Sequence, residues 1–145
     1  MATTFKIDTI LVDAGILYAL ADGEDGWHDR AQDFISNFKG KLVVSSTVIP
    51  ETCYLLNKYL GIQSETAFVK ALADRELIIE NCTQGDIARC LDVMDAYRDA
   101  NVGFVDASLV AIAERLKIQK ILTTDRRHFS MIRPKHCKRF ILLPD

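Results

Sequence analysis

Several features that mark particular protein classes are missing from this chain of 145 residues. No apolar stretch approaches the ~18 to 20 residues that a membrane-spanning helix needs. The turn after the first predicted strand has no G-x-G-x-x-G motif, which argues against a dinucleotide-binding module. The 4 cysteines form no C-x-x-C pair, so neither a zinc site nor a disulfide framework is expected. The amino terminus lacks a basic patch followed by an apolar region, so we expect a cytoplasmic protein.

The composition is that of one folded domain. The chain is 49% hydrophobic and 26% charged with a net charge of -2, which is enough apolar material for one core at this length. We therefore predict a single domain over residues 1–145. Charge is unevenly spread, because residues 115–139 carry nine lysines and arginines but only one acid. This basic segment, 115–139, is either a solvated face or a surface that binds anions such as phosphate.

Short apolar runs alternate with helical patterns along the chain. Runs typical of buried strands occur at 9–12, 42–44, 77–79, 121–122 and 140–143. Amphipathic or capped segments that predict helices occur at 27–38, 48–61, 64–74, 83–97 and 106–116. Thr83 and Asp86 resemble a capping box at the start of the fourth of these segments. Strands that alternate with helices at this spacing predict an α/β fold, with a central parallel sheet of about five strands and helices on both faces.

Four acidic residues from distant parts of the chain are expected at one edge of this sheet. In open α/β sheets, ligands bind beyond the carboxyl ends of the strands, where the following helices begin. Asp13 ends the first strand, and Asp125 follows the fourth. Glu51 lies in the first turns of the helix after the second strand, and Asp106 starts the helix that leads into the fourth. The topology therefore predicts four carboxylates around one crevice.

Each acid also has an ordinary structural explanation. Asp106 at a helix start is typical of an N-cap that accepts backbone N–H groups. The two acids that follow strands are typical of turns. Glu51 fits such an explanation less well, because it shares a helical stripe with Val48 and Leu55, and we expect that stripe to pack inward.

Four like charges in one crevice repel one another, so the arrangement needs raised pKa values or a bound cation. Mg²⁺ and Mn²⁺ prefer carboxylate oxygens, water and phosphate oxygens as ligands. A bound metal of this kind lowers the pKa of its water and stabilises a leaving oxygen. The acids therefore predict a site for phosphodiester hydrolysis.

Four stretches of the chain, in their order and spacing, carry a family resemblance over almost its whole length. They run from Leu11 to Leu17, Val48 to Leu56, Val105 to Ala111 and Leu122 to Phe129. On these stretches the chain resembles the PIN-domain ribonucleases, in particular the single-domain VapC-type toxins. The resemblance implies that Asp13, Glu51, Asp106 and Asp125 are both the catalytic residues and the Mg²⁺ or Mn²⁺ ligands of an endoribonuclease.

The same resemblance implies an RNA substrate, a cognate antitoxin protein as partner, a homodimer and no membrane association. The main alternative is a catalytically silent PIN domain that acts as an RNA-binding or scaffold module, and a nuclease assay separates the two. Trp27, Tyr54 and Tyr59 are interpreted as core or dimer packing rather than as platforms for stacked bases.

Residues around Asp125 are further candidates for substrate contacts. The family more often has Thr or Ser beside the first Asp, where this chain has Ala-Gly, so we expect the hydroxyl to come from Thr124 or its neighbour Thr123. Arg126 and Arg127 follow Asp125 directly, which places their charges where an RNA backbone approaches the metal. His128, three residues after Asp125, is a weaker candidate for approaching the substrate.

Overall fold

The structure is a computed structural model that describes residues 8–145. All strands are parallel and form one sheet in the spatial order β3-β2-β1-β4-β5. The strands are β1 (Thr9–Val12), β2 (Lys41–Ser45), β3 (Ile78–Glu80), β4 (Lys120–Leu122) and β5 (Ile141–Leu143). The predicted α/β class and the five-stranded parallel sheet are confirmed.

Helices connect the strands, and a 3₁₀ turn, Arg98–Ala100, follows the fifth helix. They are α1 (Ala14–Ala21), α2 (His28–Asn37), α3 (Ile49–Leu60), α4 (Ile62–Ala73), α5 (Gln84–Ala96), α6 (Phe104–Leu116) and α7 (Arg126–Met131). Helices α1 and α7 were not predicted from the sequence. Helix α1 is apolar on nearly every side, so it lacks an amphipathic period, and α7 has only 6 residues. Within the described range, no helix has both the length and the apolarity of a membrane span.

The central strand β1 explains why the sheet is stable. Its side chains Ile10, Leu11 and Val12 are 0%, 0% and 1% exposed. Parallel pairing with β2 on one side and β4 on the other satisfies its backbone, and helices cover both of its faces. Each such buried aliphatic side chain contributes about 1.5 to 3 kcal/mol. This rigid strand carries the residue that follows it, Asp13, to the carboxyl edge of the sheet.

The predicted capping box at the start of α5 is confirmed and has a second role. The Thr83 hydroxyl accepts the Asp86 N–H, and the Asp86 carboxylate accepts the Thr83 N–H, each at 3.0 Å. The same carboxylate, nearly fully buried, binds the Arg115 guanidinium of α6 at 3.0 Å. Arg115 also pairs with Glu80 of β3 at 2.9 Å. Buried charge pairing therefore ties α6 to both α5 and β3.

These ion pairs narrow the interpretation of the basic segment, 115–139. From the sequence it was either a solvated face or a surface that binds anions, because the segment contains only one acid of its own. In the structure the compensating acids come from elsewhere in the chain: Arg115 pairs with Asp86 and Glu80, and Lys120 pairs with Asp8 at 2.7 Å. Lys120 also begins β4, at the end of the strand away from Asp125. Only part of the segment therefore remains for a phosphate backbone.

Gly15 marks a close approach between α1 and the loop after β4. A Cβ built on Gly15 lies 2.3 Å from the hydroxyl oxygen of Thr124 and 3.5 Å from its Cβ. The first distance is a severe clash, whereas the second is an ordinary contact. The absence of a side chain at Gly15 is therefore required by the Thr124 hydroxyl.

We expect Gly15→Ala to lower the free energy of unfolding by about 1 to 2 kcal/mol, because the new methyl group overpacks this contact. In a Thr124→Ala background the same change should be neutral or stabilising, since the hydroxyl is gone and Ala favours a helix over Gly by up to about 1 kcal/mol. Urea denaturation of the four proteins in this double-mutant cycle measures the coupling. An equal effect of Gly15→Ala in both backgrounds contradicts the prediction.

Candidate metal centre

The four acids identified from the sequence line one cleft at the carboxyl edge of the sheet. Asp13, Glu51, Asp106 and Asp125 all contribute to its wall, together with the first turn of α6, and its volume is about 520 Å³. Asp13 and Asp125 follow β1 and β4, which are adjacent parallel strands. The rule that parallel strands deliver their following residues to one edge therefore holds for this chain.

Asp13 is the most buried of these acids, with 8% of its surface exposed. One carboxylate oxygen accepts the Ala14 N–H at 2.7 Å, and the other accepts the Thr123 hydroxyl at 2.9 Å. The Thr123 oxygen in turn accepts the Asp125 N–H at 2.8 Å. The hydroxyl expected beside the first acid is thus supplied by Thr123, and it connects the ends of β1 and β4.

Burial raises the pKa of Asp13 to about 6, from a usual value of 3.8. The hydrogen bonds from Ala14 and Thr123 oppose this rise, and the nearby charges of Asp106 and Glu51 add to it. Without a bound cation, ionising Asp13 therefore costs free energy, because the carboxylate has lost its hydration and faces other acids.

Asp106 and Asp125 come together around a histidine. Nδ1 of His128 lies 2.9 Å from a carboxylate oxygen of Asp106 and 3.1 Å from one of Asp125. One ligand atom from each of the three residues falls within 4.8 Å of the other two. Asp13 and Glu51 are outside this group, although they line the same cleft.

Both ring nitrogens of His128 face acceptors. Nδ1 faces the two carboxylates, and Nε2 lies 3.2 Å from the carbonyl oxygen of Ala100. Each nitrogen must carry a proton to donate in these directions, so the geometry favours the imidazolium form. Burial lowers the pKa of His128, but the hydrogen bond to Asp106 and the charges of Asp125 and Asp106 outweigh it, and the net shift is upward. Both the geometry and the upward pKa shift therefore favour a positively charged ring between the two carboxylates.

The role of His128 was only weakly indicated by the sequence. The useful signal was its position three residues after Asp125, which caps α7 by accepting the His128 N–H at 3.1 Å. In a helix, residues three apart share a face, so the imidazole returns to the side of its own cap. Asp106 lies 22 residues from His128 in sequence, so their contact could be found only from the three-dimensional structure.

Two expectations about individual acids are wrong. Asp106 is not the N-cap of α6, because the helix begins at Phe104 after the cap Gly103. Its carboxyl group is free to face the cleft instead, and burial raises its pKa despite the opposing hydrogen bond with His128. Glu51 does not pack inward and is exposed.

The inward face of α3 is one residue out of phase with the predicted stripe. Val48 and the helix residues Thr52 and Leu56 are buried at 0%, 0% and 1% exposure, at four-residue spacing. Glu51 precedes Thr52, so it projects about 100° away around the helix axis, toward the cleft. The exposure of Glu51 is what lets it line the cleft.

The side chains of the three residues expected to contact substrate differ in how many contacts they make within the protein. Arg127 is exposed, and no ion pair of its side chain is found among residues 8–145. Arg126 donates from a terminal guanidinium nitrogen to the Leu142 carbonyl at 3.2 Å, and its guanidinium carbon lies 5.2 Å from the centre of the Trp27 ring. Thr124 lies against Gly15 beside the cleft.

The donor set fits a hard divalent cation. The cleft offers carboxylate oxygens from four chain segments, and burial raises the pKa of both Asp13 and Asp106. A raised carboxyl pKa means that the charged form lacks a sufficient positive partner, which a divalent ion provides. Mg²⁺ and Mn²⁺ prefer oxygen ligands of this kind, whereas zinc and copper favour sites with imidazole or thiolate ligands.

The Asp13 shift predicts a pH dependence in the chelated protein. Because the folded-state pKa lies above the unfolded value, the native state binds more protons between about pH 4 and 6, and stability falls as pH rises through this window. A shift of this size corresponds to about 3 kcal/mol. Asp13→Asn cannot ionise, so its free energy of unfolding relative to wild type should rise by about that amount from pH 4 to pH 7.

Urea denaturation in EDTA at several pH values measures this difference. The exposed acid Asp92 supplies the matched control. The free energy of unfolding of Asp92→Asn should differ from that of wild type by the same amount at every pH. A constant difference for Asp13→Asn as well is the result that contradicts the prediction.

Comparisons with known proteins agree with this geometry. Residues 10–133 match the PIN domain. The chain is 33% identical over 135 residues to Ribonuclease VapC26 of Mycobacterium tuberculosis, which covers 93% of this chain and 100% of that protein. Several solved structures share the fold, including one toxin and one toxin-antitoxin complex.

The first is the Mycobacterium tuberculosis VapC20 toxin that cleaves the sarcin-ricin loop, with a TM-score of 0.76 and 23% identity over 81% of this chain and 91% of that one. The second is a toxin-antitoxin complex from Klebsiella pneumoniae, with a TM-score of 0.68 and 21% identity over 85% of this chain and 92% of that one. With its acids at the carboxyl edge of the sheet and its sequence matched over most of its length, the chain belongs to the PIN-domain family and resembles its VapC-type members.

Proposed function

We propose that the protein is an endoribonuclease that hydrolyses RNA phosphodiester bonds with Mg²⁺ or Mn²⁺, as the toxin of a toxin-antitoxin pair. The observation that carries this proposal is the cleft lined by four carboxylates from four segments, two of which, those of Asp106 and Asp125, meet at His128. The 33% identity to a ribonuclease along that protein's whole length supports the reaction class. The catalytic and metal-binding residues in this proposal are Asp13, Glu51, Asp106 and Asp125.

The chain's own residues account for the preorganisation of the site. Thr123 and the Ala14 N–H orient the two oxygens of Asp13, and His128 holds the carboxyl groups of Asp106 and Asp125 toward each other. When bound, a divalent metal supplies Lewis acidity and a water of lowered pKa. Glu51, on the exposed side, is the acid best placed to accept a proton from a water that enters the cleft from solvent.

We place the RNA backbone along the side of the cleft formed by the loop after β4 and the start of α7. Arg127 is exposed there, and the guanidinium of Arg126 is held in place by its hydrogen bond to Leu142. Thr124 offers a hydroxyl on the same loop. An arginine fork can donate two hydrogen bonds to one phosphate, which favours arginine at these two positions.

An antitoxin protein is the proposed partner, since several structures that share the fold are toxin-antitoxin complexes. The chain has a largely apolar groove of about 680 Å³ that suits an apolar helical segment. Leu20 of α1, Ile35 of α2 and Phe68 of α4 contribute to its walls. Seating a partner helix here removes apolar surface from water, and we propose the groove as the antitoxin surface.

A homodimer in the cytoplasm completes the proposal. Ile87 and Leu91 lie one turn apart on α5 and are 50% and 64% exposed, although both are large and apolar. Such a pair on one helix face is typical of a contact surface between copies. The cytoplasm is where a bacterial-type RNA toxin meets its substrate.

The isolated protein should cleave single-stranded RNA with Mg²⁺ or Mn²⁺, and EDTA should abolish the cleavage. Asp13→Asn and Asp106→Asn preserve side-chain volume but remove a charge, so we expect a loss of about a thousandfold, equivalent to ~4 kcal/mol of transition-state stabilisation. Gel analysis of a labelled RNA measures the rate. Asp92→Asn, an exposed acid outside the cleft, is the control and should cleave normally.

Undiminished cleavage by Asp13→Asn in the presence of metal would exclude the proposed mechanism. RNA binding by the wild-type protein without metal-dependent cleavage would instead support the alternative, a catalytically silent PIN domain that binds RNA.

The substrate side of the cleft is tested by charge reversal. Arg127→Glu should weaken RNA binding similarly for different sequences and flatten the dependence of log K on log salt by ~0.7 for each lost phosphate contact. The Asp13→Asn background prevents cleavage during the measurement. Lys39→Glu makes the same charge change just before the start of β2, at the opposite edge of the sheet, and should leave the slope unchanged. An equal slope for both variants contradicts this placement of the RNA.

A further inference from the structure

A second cleft lies directly beside the acidic one. It has a volume of about 380 Å³, and its walls include Gly15, Tyr18, Trp27, Tyr59 and Thr124. Gly15 lines both clefts, so the two spaces adjoin where α1 begins. A molecule that reaches the acids therefore has this aromatic cleft within reach.

Two of the rings in this cleft, those of Trp27 and Tyr59, are not part of the hydrophobic core, whereas Tyr18 packs against it. Tyr59 is 60% exposed, and Trp27 is partly exposed. Tyr18 and Tyr59 meet edge to face with their ring centres 6.0 Å apart. Of the two roles expected for Trp27 and Tyr59, core packing does not fit their exposure, and dimer packing stays a prediction. Three aromatic side chains from separate helical segments border one accessible space.

Cationic side chains surround the same rings. The guanidinium of Arg30 lies 3.8 Å from the centre of the Trp27 ring, and that of Arg126 lies 5.2 Å from it. The ammonium group of Lys58 lies 5.2 Å from the centre of the Tyr59 ring. Aromatic surfaces flanked by cations are the combination that binds single-stranded nucleic acid, because bases stack on the rings while the backbone contacts the charges.

We propose that this aromatic cleft is a base-binding subsite that holds one nucleobase of single-stranded RNA next to the phosphate at the acidic cleft. The inference rests on the proposed ribonuclease function and adds the element that recognises the substrate. The base packs among Trp27, Tyr18 and Tyr59, with the Arg30 guanidinium stacked over the Trp27 ring, and Arg126 lies beside the adjoining backbone. The cleft volume lies within the range of small-ligand sites.

The location of Arg126 links the two clefts. It directly follows Asp125, a wall residue of the acidic cleft, and its guanidinium lies beside Trp27 in the aromatic cleft. Its hydrogen bond to the Leu142 carbonyl restricts the side chain to this position. A phosphate that lies between a base in one cleft and a metal in the other therefore passes this fixed charge.

Trp27 is the only tryptophan in the chain, so its fluorescence reports on this cleft alone. The Asp13→Asn protein in EDTA is titrated with a short single-stranded RNA, and with the same RNA in which each base in turn is replaced by an abasic ribose. We expect saturable quenching by the intact RNA. One abasic position should weaken binding markedly more than its neighbours, although the number of phosphates is unchanged.

Substitution of the rings gives the second measurement, by fluorescence anisotropy of a labelled RNA. Trp27→Leu and Tyr59→Leu should weaken RNA binding about 5- to 100-fold without changing the salt slope, because stacking is lost and phosphate contacts remain. Trp27→Phe should restore most of the affinity. Tyr54→Leu is the matched control, since Tyr54 is also 60% exposed on α3 but lies outside the cleft wall, and it should bind normally.

Several outcomes overturn the inference. One is equal RNA affinity for the Trp27→Leu, Tyr59→Leu and Tyr54→Leu proteins. Another is a Trp27 signal that changes with protein concentration and not with RNA, which assigns the cleft to contact with a second copy. Failure of the ribonuclease proposal looks different, because RNA then quenches Trp27 in the wild-type protein while no metal-dependent cleavage occurs.

Discussion

Burial of a carboxyl group at the end of the central strand is the constraint on which the rest of the site depends. The last three residues of β1 are fully buried, and Asp13, which follows them, has only 8% of its surface in contact with solvent. A carboxylate in that position loses most of its hydration, and two hydrogen bonds do not restore an ordinary pKa. Thr123 lowers this free-energy cost by donating a hydrogen bond to Asp13. A bound divalent cation would supply the positive charge that is still missing.

At the start of α7, the repulsion between two carboxylates is reduced by a histidine side chain. Asp106 and Asp125 approach each other with the His128 ring between them, and that ring faces acceptors at both nitrogens. The amino-terminal ends of α1, α6 and α7 also lie at the cleft, where the partial positive charge of a helix start favours anions. The fold therefore places several weak positive features around the acids, and these features keep four carboxylates close without unfolding this edge of the sheet.

The parts of this arrangement that follow local rules were predictable from the sequence. Strand ends identified Asp13 and Asp125, and the capping box at Thr83 identified the start of α5, because both depend on patterns within a few residues. The inward face of α3 was not predictable in this way, since Val48 belongs both to the predicted stripe with Glu51 and to the observed one with Thr52. Contacts between distant segments were also hidden, including the acids that neutralise Arg115 and Lys120 and the approach of His128 to Asp106.

Gly15 explains how one departure from the family pattern fits the site. Where the family more often has a hydroxyl residue beside the first acid, this chain has Ala14 and Gly15, and the hydroxyl that reaches Asp13 belongs to Thr123, which follows the adjacent strand β4. The absence of a side chain at Gly15 leaves room for Thr124. The Thr124 hydroxyl oxygen lies 2.3 Å from the position that a Cβ at residue 15 would take. Because Gly15 also lines both clefts, a side chain here narrows the passage between the acids and the aromatic rings. With the hydroxyl supplied by the loop after β4 and no side chain at Gly15 of α1, the chain keeps both the hydrogen bond to Asp13 and the contact between the two clefts.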